Sequence, residues 1–216
     1  PEPTHEFPRT TVFGATKYKN CIMHPPKEKD LFWLPKNTVT VGDSISDLPA
    51  IDNGARCNQL EYSSASFSQY QESLRDGSKY VYDHVCPNHG GIMYQRICAI
   101  PKRPGAGWIS LPDSLKPKNL VRHGDERYPN RLGRLHWEGN FNTILTRPYP
   151  YWGRFIHPEQ NRVLSVRECA RAQGFSDAIR FAGSMTDQYK QIGNAVPPVL
   201  AESIGKEIIK VLHSNR

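Results

Sequence analysis

Apolar positions along the chain recur at helical spacing in several places. Val41, Ile45 and Leu48 stand at i, i+4 and i+7, with Thr40 in front and Pro49 behind, which predicts a short helix with an N-cap and a stop. Ser165-Val166-Arg167-Glu168 reads as a capping box and Gly174 as the residue that ends its helix, so Val166, Cys169 and Ala170 are expected to face a core. Leu200, Ile204, Ile208 and Leu212 follow at intervals of four and predict a last helix over 199–212, packed along that face. Shorter helices are expected near 67–74, 91–99 and 187–192. Segments 131–137 and 141–146, rich in β-branched and aromatic residues around Glu138-Gly139-Asn140, predict a β-hairpin. Residues 1–40 lack periodicity and read as connecting structure, while 53–127 is polar and carries few element signals.

Between the last two helical patterns lies Gln191-Ile192-Gly193-Asn194-Ala195-Val196-Pro197-Pro198. Gly193 is expected just past a helix end at positive φ, and the two prolines in the first turn of the next helix. Asn194 sits between them, with a carboxamide able to donate and accept. Read from spacing alone, this is a helix-loop-helix corner or a loop built to meet a polar ligand.

Composition changes the picture in one respect. The chain has 216 residues, enough for one sizeable domain or two small ones, with 18 Pro and 16 Gly scattered rather than repeated. Its formal net charge is +7. Between Arg96 and Arg134 there are nine Lys or Arg side chains against three Asp or Glu, so most of the excess is concentrated there. Tyr94, Trp108, Tyr128 and Trp137 are interleaved with these bases, a mixture suited to gripping phosphates and packing on nucleobases, or equally to a solvated basic face. The loop from Tyr149 through Tyr151, Trp152 and Arg154 either presents side chains to a groove or caps the expected hairpin. No apolar run could span a bilayer and no signal segment opens the chain, so a soluble protein is expected. The start at Pro1, without Met, suggests a piece of a longer protein. Five Cys without framework spacing predict reduced thiols in the cytosol or nucleus.

The chemistry these residues can perform alone is limited. His84, Cys86 and His89 are close in sequence but lack the paired spacing of a structural zinc site, and Cys21 with His24 is weaker, so no metal is expected. Phe13-Gly14-Ala15-Thr16 lacks the further glycines of a nucleotide-binding fingerprint. There is no nucleophile elbow and no acid pair. What remains is a basic, aromatic-bearing globular segment without a complete active site.

Two longer motifs carry a resemblance. Arg162-Val163-Leu164-Ser165-Val166-Arg167-Glu168-Cys169-Ala170-Arg171-Ala172-Gln173-Gly174-Phe175, followed by the segment from Gln191 to Pro198, closely resembles the last two motifs of cytosine-5 DNA methyltransferases in order and separation. Leu132-Gly133-Arg134-Leu135-His136-Trp137, Phe141-Asn142-Thr143-Ile144-Leu145-Thr146 and His157-Pro158-Glu159-Gln160 are similar to the end of the target-recognition region in the eukaryotic maintenance-type enzymes and their plant and fungal relatives. Pro1-Glu2-Pro3-Thr4-His5 and Asp43-Ser44-Ile45-Ser46-Asp47-Leu48-Pro49 resemble segments that open that region.

The resemblance implies an S-adenosylmethionine-dependent methyltransferase of α/β, Rossmann-like fold, represented here by its small mixed α+β target-recognition domain and C-terminal helices. Residues 1–49 would lead from the catalytic domain, 50–160 would recognise the target, and 161–216 would return to the methyltransferase domain. It implies S-adenosyl-L-methionine as cofactor, with Asn194, Ala195 and Val196 in contact with it. It implies Thr143, Ile144, Arg134, Tyr151, Trp152 and Arg154 as contacts to double-stranded DNA, and Arg167, Glu168 and Gly193 as structural. In such enzymes a thiolate adds at C6 of a cytosine that has left the helix stack. The Pro-Cys and Glu-Asn-Val motifs for that step do not occur in this sequence, where Cys86-Pro87 has the reverse order, so no catalytic residue is assigned. The expected partners are DNA and the N-terminal catalytic half of the same protein, without a membrane and in the nucleus. A non-catalytic DNA-binding or scaffold relative, and an RNA methyltransferase of the same superfamily, are the alternatives. The resemblance departs at Tyr128, where the maintenance enzymes commonly have Trp, at Arg131, where they have Leu, at Gly42, where Arg is usual, and in a shorter loop from Tyr149 to Arg154.

Overall fold

A computed structural model describes residues 38–123 and 128–214. The expectations for residues 1–37, including the Pro1 to His5 segment and the glycine at 14, fall outside the described residues. Helix α1 (Val41–Ile45) is capped as the sequence predicts. The Asp43 N–H donates to Thr40 Oγ1 at 3.0 Å, and the Thr40 N–H donates to the Asp43 carboxylate at 2.9 Å. Strand β1 (Gln59–Glu61), helix α2 (Gln69–Arg75) and strand β2 (Tyr80–Tyr82) follow, with β1 and β2 antiparallel and Leu60 opposite Val81. Helix α3 (Gly91–Ala99) leads through two short 3-10 turns to α4 (Lys118–His123). Strands β3 (Gly133–Arg134) and β4 (Arg154–Ile156) pair in parallel. Three helices complete the chain, α5 (Val166–Ala172), α6 (Met185–Asn194) and α7 (Pro198–Ser214).

The expected hairpin over 131–146 does not form. Leu132 takes φ of 50° and sends β3 against β4 instead of into a two-stranded return. The carbonyls that a hairpin would have used are engaged elsewhere: Trp137 and Gly139 accept from the Gly42 and Val41 N–H groups, both at 2.8 Å. Those two donors open α1 and have no partner within their own helix, so the segment after β3 is recruited to satisfy a helix N-terminus.

Two apolar clusters hold the fold. One gathers Val41, Ile45, Val81, Ile144, Leu164, Cys169 and Ile192 from α1, β2, α5, α6 and the loops between them. The other gathers Ile97, Trp108, Leu111, Leu120, Leu132 and Ile156 around α3. Val166, Cys169 and Ala170 are fully buried, as their spacing predicts, and Gly174 follows α5 at φ of 85°. The last helix is a correction. α7 leaves Val199, Ile204, Ile208, Ile209 and Leu212 exposed, so its apolar face has no core beneath it among the described residues.

Candidate nucleic-acid and cofactor interface

The candidate site rests on a buried ionic layer built around α5. Ser165 caps the helix, and Glu168 in its first turn accepts from the Ser165 N–H at 2.7 Å and from both Arg162 Nη atoms at 2.8 and 2.7 Å. Burial by itself would raise the Glu168 carboxyl, but the bidentate Arg162 guanidinium outweighs it and holds the group well below the usual carboxylate range. The two histidines stay neutral because burial pushes them down, His84 to about 4 and His157 to about 3. His84 Nε2 lies 2.9 Å from the Pro49 carbonyl, which can only accept, so Nε2 carries the proton and Nδ1 accepts from the Ser165 hydroxyl at 2.7 Å.

Two further α5 side chains point the other way. Arg167 donates to the carbonyls of Tyr82, Ser176 and Ile179, and Arg171 to Asp47, Asp177 and the Ser44 carbonyl. Asp47 also pairs with Arg75 at 2.7 Å, and the Tyr62 hydroxyl donates to Asp177. Both residues assigned from sequence to a bracing role, Arg167 and Glu168, are therefore buried with their polar atoms engaged.

Helix α6 carries the loop side of the site. The Tyr189 hydroxyl donates to the Leu164 carbonyl at 2.8 Å and the Gln173 side chain to the Ile192 carbonyl at 3.1 Å, which fixes α6 on α5. Gly193 lies inside α6, not past its end, and does not have positive φ. Its role is close approach: a Cβ there would stand 2.4 Å from the Thr146 nitrogen and 2.6 Å from the Leu145 carbonyl carbon. The end of α6 is thereby pressed onto the 145–146 backbone, bringing the stretch after Thr143 and Ile144 beside Asn194, Ala195 and Val196. Thr143 and Asn194 are exposed, and neither side chain is hydrogen-bonded among the described residues. Val196 is 58% exposed next to that uncommitted carboxamide. The Asn194 carboxamide and the Val196 side chain are both open to solvent at the end of α6. Ile144, by contrast, is buried in the first apolar cluster.

The aromatic loop forms the outer rim. Trp152 is 63% exposed, Tyr151 donates to Asn119 Oδ1 at 2.7 Å, and the rings of Tyr149 and Tyr151 stack with centroids 6.4 Å apart. The Arg131 guanidinium carbon lies 3.9 Å from the Tyr128 ring centroid, 5.6 Å from that of Trp152 and 6.0 Å from that of Tyr151. Arg154 is half-buried with its stem against Gly133. Arg134 is a correction. It is 1% exposed, and its guanidinium donates to the carbonyls of Ile97, Ile100, His157 and Gln160 and to Asn161 Oδ1, so it ties α3 to the 157–161 turn and has no face for DNA. Arg131 was legible in the sequence as one of the clustered bases and as a departure from the family's Leu, but nothing local marks it as a cation that the rings of Tyr151 and Trp152 will flank.

His84, Cys86 and His89 do not form a metal centre, and no group of three such ligands does so among the described residues. Cys57, Cys86, Cys98 and Cys169 are free thiols. No helix among the described residues is long and apolar enough to cross a membrane.

The fold is that of the S-adenosylmethionine-dependent methyltransferases, of mixed α/β content. A solved E. coli structure of a prophage-encoded protein assigned as a DNA modification methyltransferase superposes with a TM-score of 0.57 over 84% of this chain and 50% of that one, at 23% identity. The chain belongs to the C-5 cytosine-specific DNA methylase family, whose sequence profile matches residues 9–210. It is 39% identical to DNA (cytosine-5)-methyltransferase 1A of Oryza sativa subsp. japonica over its whole length, and 35% identical to DNA (cytosine-5)-methyltransferase 1 of Mus musculus over 96% of it. It spans only 15% and 16% of those two relatives. S-adenosyl-L-methionine is the methyl donor of this family.

Proposed function

We propose that this chain is the target-recognition and cofactor-side part of a DNA cytosine-5 methyltransferase that acts in the nucleus on double-stranded DNA. In this reading residues 50–160 hold the DNA, residues 161–216 return to the methyltransferase domain, and residues 1–49 lead in from it. The observation that carries it is the seating of Gly193 on the 145–146 backbone, which puts the motif expected to meet cofactor beside the motif expected to meet DNA. Bound S-adenosyl-L-methionine would supply the methyl group. Asn194, Ala195 and Val196 would form one wall of its pocket. Thr143, Tyr151, Trp152 and Arg154 would contact DNA around a cytosine turned out of the stack. With no Pro-Cys dipeptide in these 216 residues, the nucleophile would come from a catalytic half outside them, onto which the bare apolar face of α7 would pack.

Methyl transfer and binding, measured side by side, test this reading. The full-length protein should methylate DNA at C5 of cytosine while residues 1–216 alone should not. Asn194→Ala in the full-length protein should weaken S-adenosylmethionine binding about tenfold, the scale of one lost polar contact of roughly 1.4 kcal/mol, and leave DNA binding nearly unchanged. DNA binding by a full-length protein that never transfers a methyl group would favour the scaffold alternative. Transfer to tRNA but not to DNA would favour the RNA enzyme.

A further inference from the structure

Three arginines among the described residues sit over a tyrosine ring at almost the same separation: Arg75 over Tyr62 at 3.8 Å, Arg180 over Tyr82 at 3.8 Å and Arg131 over Tyr128 at 3.9 Å. Two of them also have an anion. Arg75 pairs with Asp47 at 2.7 Å, and Arg180 lies 3.6 Å from Asp83. Arg131 has none, and its side chain makes no hydrogen bond or ion pair among the described residues. Among the described residues its five N–H donors are uncommitted, although its position is fixed. The Arg131 carbonyl accepts from the Trp108 N–H at 3.2 Å, the neighbouring Leu132 N–H donates to the Pro150 carbonyl at 2.8 Å, and Leu132 at φ of 50° turns the chain there. Tyr151 and the exposed Trp152 flank the guanidinium.

A placed guanidinium with its in-plane donors unclaimed seeks two acceptors side by side, as on a phosphate or on the O6 and N7 edge of guanine. The flanking rings favour the second, because an indole beside the fork offers apolar contact to a neighbouring base edge, which a phosphate does not use. We propose that Arg131 reads a guanine near the target cytosine through the major groove and so sets the sequence context of methylation. This rests on the DNA-binding reading above.

The test uses the intact protein, fluorescently labelled duplexes and anisotropy at fixed salt. One set of duplexes exchanges each G·C pair near the target cytosine, and another places 7-deazaguanine, which lacks N7, at each guanine. Wild type should lose about 5- to 100-fold in affinity at one guanine position. Arg131→Ala should lose that discrimination, and Arg131→Lys should keep most of the overall affinity yet lose it too, since an ammonium lacks the planar fork. Unchanged thermal melting of Arg131→Lys keeps the result free of folding effects. A uniform loss across all duplexes, with a salt dependence shallower by about one counterion, would make Arg131 a phosphate contact and overturn the proposal. Retained guanine discrimination in both variants would overturn it as well. Wild-type protein that binds no duplex would overturn the DNA-binding reading itself, and this proposal with it.

Discussion

Arginine has two fates in this molecule. Arg134, Arg162, Arg167 and Arg171 are at most 1% exposed, and each guanidinium is met arm by arm by carbonyls or carboxylates. Arg131 and Arg147 lie at the rim over aromatic rings, at 3.9 Å from Tyr128 and 5.9 Å from Tyr149, with no carboxylate paired to either among the described residues. The same side chain is a structural strut where acceptors surround its edge and a candidate reader where rings cover its face and leave its edge free. A count of basic residues is therefore a poor guide to the DNA surface, because Arg134, from the basic stretch itself, and three arginines beyond it are sealed inside.

The largest effect should come from breaking the buried side. Arg171→Leu leaves Asp177 without its bidentate partner and strips Asp47 of one of its two guanidiniums, both carboxylates being fully buried. Removing one member of such a group should cost about 3–5 kcal/mol, read as a lowered urea midpoint. A loss below about 1 kcal/mol would mean that the layer is solvated in solution and that the contrast with the rim is false.

Acid should act on the same layer with a defined sign. His84 and His157 have folded pKa values of about 4 and about 3, below the ordinary histidine value, so the unfolded chain binds more protons as pH falls. Their contribution is fully present above pH ~6.5 and is lost toward pH ~4 for His84 and toward pH ~3 for His157, at about 1.4 kcal/mol per pH unit for each histidine. Glu168 is depressed instead, so its contribution persists until pH drops below the ordinary carboxylate range. Urea midpoints should therefore fall steadily between pH 6.5 and 5, and His84→Gln should flatten that slope by about half. A flat profile in wild type would place these histidines in water.

Gly193 links the two regions. Gly193→Ala drives a methyl into the Leu145–Thr146 backbone, which cannot rotate aside, and overpacking of this kind costs about 1–3 kcal/mol. S-adenosylmethionine affinity should fall with it, because Asn194 follows directly. Gly205→Ala is the control. A Cβ there meets nothing within 4 Å, so that change in α7 should stabilise by about 0.4–1 kcal/mol.

Elements whose signals are local were legible in the sequence. Thr40 caps α1 and Ser165 with Glu168 forms a capping box, as read from the sequence, and 91–99 is a helix to the residue. Long-range pairing was not legible. The hairpin failed because the carbonyls of Trp137 and Gly139 are claimed by a helix start nearly a hundred residues away, and Gly193 was misread because a close approach to Thr146 leaves no trace in neighbouring residues. Arg134 was misassigned for the same reason, since the carbonyls that bury it come from α3 and the 157–161 turn.

The smallest effect on stability should come from the rim. Trp152 is 63% exposed, with the Arg131 guanidinium carbon 5.6 Å from its ring centroid, so Trp152→Ala should change the urea midpoint by no more than about 0.5 kcal/mol. Its effect should appear only with DNA present. Loss of an aromatic contact to a base is worth about 1 kcal/mol, or roughly a fivefold weaker duplex affinity. Because the indole carries no charge, the slope of affinity against salt should stay the same, whereas Arg147→Ala should make it shallower. Destabilisation by Trp152→Ala without any change in duplex affinity would assign the indole to packing and leave the rim without a reading surface.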